Sequence, residues 1–300
     1  MSASARAAPP GSALFPAAAL VFNALIWGCS WWAFRRLEAN GLHPLWATVL
    51  IYGFAVLVIT AARPAAWREL FSHPMLWVLV LASGTTNAAF NWAVTTGDVV
   101  RVVLLFYLMP LWAVLLARLL LRERLTRSAL MRTALALAGA MVILWPTDGG
   151  WPLHRNLPEA LGVLGGFSFA LNNVMLRREV ASSEGARALA MFVGGTLVAG
   201  LLATLLAPSG GVPSMPAVAP GWIAGMLVLA GLFLASNLAL QFGASRLPAH
   251  VTAVILLTEL VFASATAIAL GAGTLDTRLA VGGLAIVSAC LLAARQNNSA

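Results

Sequence analysis

Thr86-Asn87-Ala88-Ala89-Phe90-Asn91-Trp92 lies inside a long apolar run, and 150 positions later the chain reads Ser236-Asn237-Leu238-Ala239-Leu240-Gln241-Phe242. In both stretches a hydroxyl residue and an asparagine are followed, at the same distance, by an aromatic ring. Apolar helices resemble one another through composition, but an asparagine register is harder to obtain by chance. Arg35-Arg36 closing one apolar run and Arg177-Arg178 closing another give a second correspondence. A fixed shift of this kind is the mark of a duplicated unit, with the cut falling near residue 150.

Working outward, apolar runs of bilayer-crossing length recur along the whole chain. They lie near 14–34, 44–62, 75–95, 100–121, 129–146, 158–177, 187–207, 220–244, 248–271 and 278–294. Each is close to the ~20 residues that a helix needs to cross ~30 Å of hydrocarbon. Arg63-Pro64, the stretch from Pro146 to Pro158 and the stretch from Pro208 to Pro220 separate them. The 300 residues are 61% hydrophobic and 9% charged, with a mean hydropathy of +0.90. A soluble domain carries about 25% charged residues, so lipid is the solvent for most of this surface.

The expected fold is therefore an all-α integral membrane protein of about ten transmembrane helices. The units are a tail over 1–13, a first repeat over 14–147, a second over 158–294 and a second tail over 295–300. Five helices per half is an odd number, so the halves enter the membrane from opposite sides around a central cavity. Such an inverted repeat is the architecture of alternating access.

All eighteen basic residues are arginines. Thirteen of them fall at the N-terminus, in the even-numbered loops or at the C-terminus, and five (Arg35, Arg36, Arg101, Arg155 and Arg278) in the odd-numbered loops. The positive-inside rule then places both termini in the cytoplasm. Orientation explains the net charge of +8 and the pI near 11.3 better than nucleic acid does, and no nucleic-acid partner is expected. The first apolar run is too long for a signal-peptide core and is read as the first membrane helix. Cys29 and Cys290 lie in apolar segments without a ligand-spaced neighbour, so no metal site or other cofactor is expected.

Polar side chains in hydrocarbon are costly and face a cavity or a partner helix. The second, fifth, seventh and tenth segments offer little beyond Thr48, Tyr52, Thr133, Thr196 and Ser288, groups that can bond their own helix backbone. These four helices are expected at the periphery. The other six carry Asn23, Trp27 and Ser30; Asn87, Phe90 and Asn91; Tyr107 and Pro110; Phe169, Asn172 and Asn173; Asn237 and Gln241; and His250, Thr258 and Glu259. Any one amide reads equally well as glue between helices. Asn23, Asn87, Phe169 and Glu259 all fall near mid-depth, however, where a carrier holds its substrate. The candidate substrate-binding set is Asn23, Trp27, Asn87, Phe90, Asn91, Tyr107, Phe169, Asn172, Asn237, Gln241 and Glu259. Glu259, the one carboxylate deep in a span, reads either as a neutral hydrogen-bonding group or as a proton-coupling one. Trp46, Trp67, Trp77, Trp145, Trp151 and Trp222 sit near segment ends, as interfacial anchors do.

Tyr107-Leu108-Met109-Pro110-Leu111-Trp112, running on to Leu119-Leu120-Leu121-Arg122-Glu123-Arg124-Leu125-Thr126, resembles the fourth-helix pattern of the drug/metabolite transporter superfamily, in its branch of duplicated five-helix halves. The second half departs from that pattern, with Leu260 in place of the proline and Gly273 in place of the glutamate. Within the superfamily the chain is most similar to the bacterial aromatic amino acid exporters. That resemblance implies an inner-membrane exporter whose central cavity takes a small-molecule substrate, an amino acid such as Phe, Tyr or Trp. Lipid is then the surrounding partner, and no oligomer is required. Aromatic walls can stack such a ring, and asparagine amides offer donors and acceptors to a zwitterion without fixed charge.

A proton-coupled multidrug or broad-specificity metabolite transporter is the alternative that Glu259 favours. An intramembrane enzyme needs a nucleophile–base pair, a metal set or paired acids, and neither His-Glu-x-x-His nor Gly-x-Ser-x-Gly is present. A passive channel would lack saturation and counter-flow.

Overall fold

The computed structural model describes residues 14–120, 127–145, 156–179, 181–218, 220–244, 246, 255–256 and 258–296. Among them the regular structure is entirely helical, which satisfies backbone hydrogen bonds within each segment where lipid offers none. The helices are α1 (Leu14–Ala39), α2 (Pro44–Ala62), α3 (Ala65–Ser72), α4 (Met75–Thr96), α5 (Val99–Phe106), α6 (Met109–Leu120), α7 (Arg127–Leu144), α8 (Leu157–Arg178), α9 (Glu184–Leu206), α10 (Pro220–Ala244), α11 (Thr258–Ala269) and α12 (Thr277–Gln296). Six described stretches are long and apolar enough to cross a membrane: Leu14–Ala39, Pro44–Ala62, Val99–Leu120, Leu157–Leu176, Glu184–Leu206 and Trp222–Leu240. Leu57, Leu81, Leu201, Val228, Leu238 and Leu284 stand exposed on the outside, an apolar exterior suited to acyl chains.

α4 runs between α8 and α9, and α2 packs on α9. α1 lies against α10 and α11, α5 and α6 lie against α8, and α7 pairs with α12. Hydrocarbon gives helices no hydrophobic reason to associate, so close approach at small residues and hydrogen bonds must hold them together. The α4–α9 contact is such a case. A Cβ added to Gly84 would lie 2.3 Å from the Gly194 carbonyl oxygen, and one added to Gly194 would lie 2.1 Å from that of Val80.

The two ends of the bundle are tied differently. At the end where α4 gives way to α5, α1 closes on Gly41 (φ +88°) and α11 on Gly271 (φ +69°). In both turns the next residue's N–H reaches back five positions, Leu42 to Leu37 at 3.0 Å and Ala272 to Ala267 at 2.7 Å. This is the helix stop for which a left-handed glycine is suited. His43 caps α2 by accepting the Leu45 N–H on Nδ1 at 3.2 Å, and burial pushes its pKa down to about 4, so the cap is a neutral imidazole. At the opposite end Glu69 of α3 accepts from Ser183 N at 2.6 Å and Ser183 Oγ at 2.5 Å. Those bonds hold the Glu69 carboxyl below the usual range, while Ser183 itself caps α9.

Several expectations change. The run expected over 100–121 is two helices, parted at Tyr107 and Leu108. There the bonds tighten to Leu108 N→Leu105 O at 3.1 Å and Leu111 N→Leu108 O at 3.0 Å, and Pro110 has no N–H to continue a regular ladder. α1 runs past Arg35-Arg36 to Ala39, and α3 occupies what read as a bare loop. α2 and α9 are not peripheral, because the glycines of α9 let α4 and α2 come close. Outside the described residues lie the side chains of Gln241, Pro110, Thr133 and Cys290, residue His250, most of the upstream part of the 248–271 segment, and the stretch 121–126.

Candidate functional site

Four of the candidate residues, Trp27, Phe90, Tyr107 and Phe169, stand around two rings that sequence reading did not select. Around Phe106 of α5 stand Phe90 of α4 at 4.8 Å between ring centroids, Phe169 of α8 at 5.3 Å and Tyr107 at 6.2 Å. Gly165 and Gly166 of α8 admit this cluster, since a Cβ on Gly166 would lie 2.4 Å from the Phe106 carbonyl oxygen. The Tyr107 hydroxyl reaches toward α11, donating to the Leu256 carbonyl at 3.4 Å, with the Glu259 side chain close by.

Around Phe233 of α10 stand Trp27 of α1, stacked at 4.4 Å and 15°, and Tyr52 of α2, edge-on at 6.4 Å. Phe192 of α9 approaches Tyr52 at 5.5 Å. A stacked pair of this kind is worth roughly 0.5–1.5 kcal/mol beyond its buried area.

The amides tie these clusters together. Asn23 donates to Ser236 Oγ at 2.7 Å and to the Ser236 carbonyl at 3.1 Å, joining α1 to α10. Asn87 accepts from the Tyr52 hydroxyl and donates to the Ser83 carbonyl at 2.8 Å. Asn91 donates to Thr48 Oγ1 at 2.9 Å, and Asn237 donates to the Phe233 carbonyl of its own helix at 3.0 Å. Thr48 thus bonds its own backbone, as expected, but also receives an amide; Tyr52 points away from its own helix backbone altogether.

Among the described residues, two buried amide oxygens have no partner. Asn91 Oδ1 and Asn172 Oδ1 are fully buried and accept no hydrogen bond, on helices α4 and α8 that pack against each other. A buried acceptor without a donor costs about 1–3 kcal/mol. Trp112 Nε1 is likewise buried without a partner.

Tyr52, Phe106, Phe192, Phe233 and Ser236 belong to this interior although sequence reading passed over them. Ser236 alone had given a signal, as the hydroxyl of the repeated hydroxyl–asparagine pair.

A helical bundle with leucines outside and amides and rings inside is an integral membrane protein. Residues 14–145, somewhat less than half of the chain, match the EamA-like transporter family. The "uncharacterized transporter PA0485" of Pseudomonas aeruginosa is 37% identical over 95 residues, covering 30% of this chain and 32% of that protein. The "chloramphenicol-sensitive protein RarD" of the same organism is 30% identical over 156 residues, covering 45% and 51%. The chain thus matches between about a third and a half of the length of these curated relatives. A solved crystal structure superimposes with a TM-score of 0.59 at 19% identity, over 94% of this chain and 98% of that one. It shares the fold along nearly the whole chain.

Proposed function

We propose that the whole chain is a carrier that exports small amphipathic metabolites, aromatic amino acids first among them, by alternating access across a bacterial inner membrane. In this reading about ten spans form two inverted five-helix repeats, both termini are cytoplasmic, and the two aromatic clusters line the substrate path. The pairing of helices supports the repeat. Exchanging the halves turns the α1–α10 contact into α8–α4 and the α1–α11 contact into α8–α6, while α7–α12 and α2–α9 map onto themselves.

The observation that carries the substrate class is the ring cluster in which Phe90 and Phe169 stand 4.8 Å and 5.3 Å from Phe106, on helices that also bury the unanswered acceptors Asn91 Oδ1 and Asn172 Oδ1. An aromatic side chain stacks on these rings, and a donor such as an α-ammonium group can answer a buried amide oxygen. No fixed charge is needed, so the zwitterion leaves as readily as it binds.

Efflux of radiolabelled phenylalanine from liposomes holding the purified protein tests this. Export should saturate and be competed by tyrosine and tryptophan but not by alanine. Unsaturable efflux, or equal competition by all of them, would reject the reading.

The Tyr107–Glu259 contact favours a second reading, a proton-coupled transporter of cationic or broad-range solutes. Glu259→Gln keeps the shape and removes the titration. In the first reading its transport stays within about threefold of wild type, roughly 0.7 kcal/mol, and an imposed pH gradient changes neither protein. If the gradient drives the wild type and not the variant, the second reading replaces the first.

A further inference from the structure

We infer that the end of the bundle around Arg101 is the outer gate of this carrier, closed here by a latch of ion pairs and hydrogen bonds between its two halves. The inference rests on the carrier reading above.

Arg101 lies in the first turn of α5. Its guanidinium reaches Glu159 Oε1 in the first turn of α8 at 3.1 Å and Asp276 Oδ2, before α12, at 3.9 Å. Asp98 divides its carboxylate between the halves. Oδ1 caps α5 by accepting the Arg101 N–H at 3.0 Å, and Oδ2 accepts the Thr274 N–H from the α11–α12 turn at 3.0 Å. Asp276 in turn caps α12, accepting from Leu279 N at 2.6 Å.

Three helix N-termini therefore converge, each carrying a carboxylate that its own dipole favours, and one guanidinium sits among them. Val99 N→Ala272 O at 3.3 Å and Arg278 Nη1→Trp145 O at 2.7 Å add further cross-links between the halves. Arg35 braces the corner from α1, donating to the Gly97 carbonyl at 2.5 Å and the Val94 carbonyl at 3.3 Å.

The seal is steric as well as ionic. A Cβ on Gly97 would lie 2.4 Å from Pro158 Cβ, and one on Gly273 would lie 2.8 Å from Val100 Cγ2. Residues 97 and 158 belong to opposite halves, as do 273 and 100, so no substrate passes between the halves here without parting them. The charged groups are only partly buried, with side-chain exposures of 30% for Arg101, 18% for Glu159 and 51% for Asp276. Pairs that water can reach are weak individually, and a latch of weak pairs is one that opens on each cycle. Orientation from the arginine count puts this end outside.

Two measurements test the gate. In the first, Phe169→Cys is placed in a protein with Cys29→Ser and Cys290→Ser and exposed to a membrane-impermeant maleimide in right-side-out and inside-out vesicles. Arg101→Gln should speed labelling from the outside about fivefold, the population shift expected from losing one or two partly exposed pairs, and Arg101→Lys should fall between. Faster labelling only from the cytoplasmic side would keep the latch and reverse the orientation. Unchanged labelling from both sides overturns the latch. No substrate enters this assay, so a wrong substrate class cannot disguise the answer.

The second measurement does not depend on the Arg101 variant folding. Val100→Cys with Gly273→Cys, oxidised to a disulfide, should stop transport, and dithiothreitol should restore it. Transport that continues through the cross-link overturns the gate.

Discussion

The proposed repeat puts the α4–α9 contact and the α2–α10 contact in corresponding places, yet they are built from opposite materials. Between α4 and α9, Gly84 and Gly194 bring backbone against backbone, and Ser83 Oγ donates to the Met191 carbonyl at 3.1 Å. Between α2 and α10, Ile51, Tyr52 and Ala55 meet Trp222, Leu229 and Phe233 through side chains. Backbone contacts have no rotamers, so the first joint can hold or break but cannot adjust. Rings can tilt and slide, so the second can rearrange without losing its packing. One place in the repeat thus serves as a fixed joint in one half and as an adaptable wall in the other. Tyr52 touches both, since its ring covers Gly195 of α9 while it faces Phe233 of α10.

The contrast can be broken at its rigid side first. Gly194→Ala puts a methyl group into the Val80 carbonyl, and because neither backbone can yield, it should cost about 3 kcal/mol, the upper range for overpacking. Thermal unfolding in detergent measures this, and a near-normal midpoint would mean that the glycine joint is not rigid. Tyr52→Phe comes next. It leaves Asn87 Oδ1 without the phenol that now donates to it, at a cost of about 1–2 kcal/mol in the same assay, with little effect if Asn87 finds another donor.

Trp27→Ala removes the ring stacked on Phe233, so it should lower stability modestly in the unfolding assay, by roughly 0.5–1.5 kcal/mol beyond lost area, and weaken transport several-fold. Ser288→Ala, on the exposed face of α12, is the control, and an equal loss there would show that the assay reports folding. Smallest of all is Gly231→Ala in α10, where an added Cβ meets nothing within 4 Å. It should stay within about 1 kcal/mol of wild type on the stabilising side, in contrast to Gly194 on the partner joint.

Much of the helix layout was legible because hydrocarbon thickness sets the length of a run. The stretch 220–244 coincides with α10, and most other limits fall within a few residues. What was not legible depends on partners. Thr48 and Tyr52 looked inert because a lone hydroxyl can bond its own helix, and nothing in the sequence says that Asn91 and Asn87 stand across from them. Asp98, Glu159 and Asp276 gave no signal in the sequence, since their meeting at Arg101 joins positions as far apart as 98 and 276. The bend at Tyr107 escaped because its flanks are as apolar as a single span, and α3 escaped because eight residues make a weak pattern.

The polar interior of α4 also has a consequence for how the protein is made. α4 carries Asn87 and Asn91 in its interior, and an amide without a partner is costly in hydrocarbon. Its costliest groups are Asn87 and Asn91, and their partners Tyr52 and Thr48 lie on α2, which leaves the ribosome before α4 does. α2 and α4 can therefore enter the bilayer as a hairpin with both amides already bonded, long before α9 is synthesised and the glycine joint closes. The order of residues along the chain is then also an order of assembly, in which the helix that carries the two amides is brought in by one that precedes it.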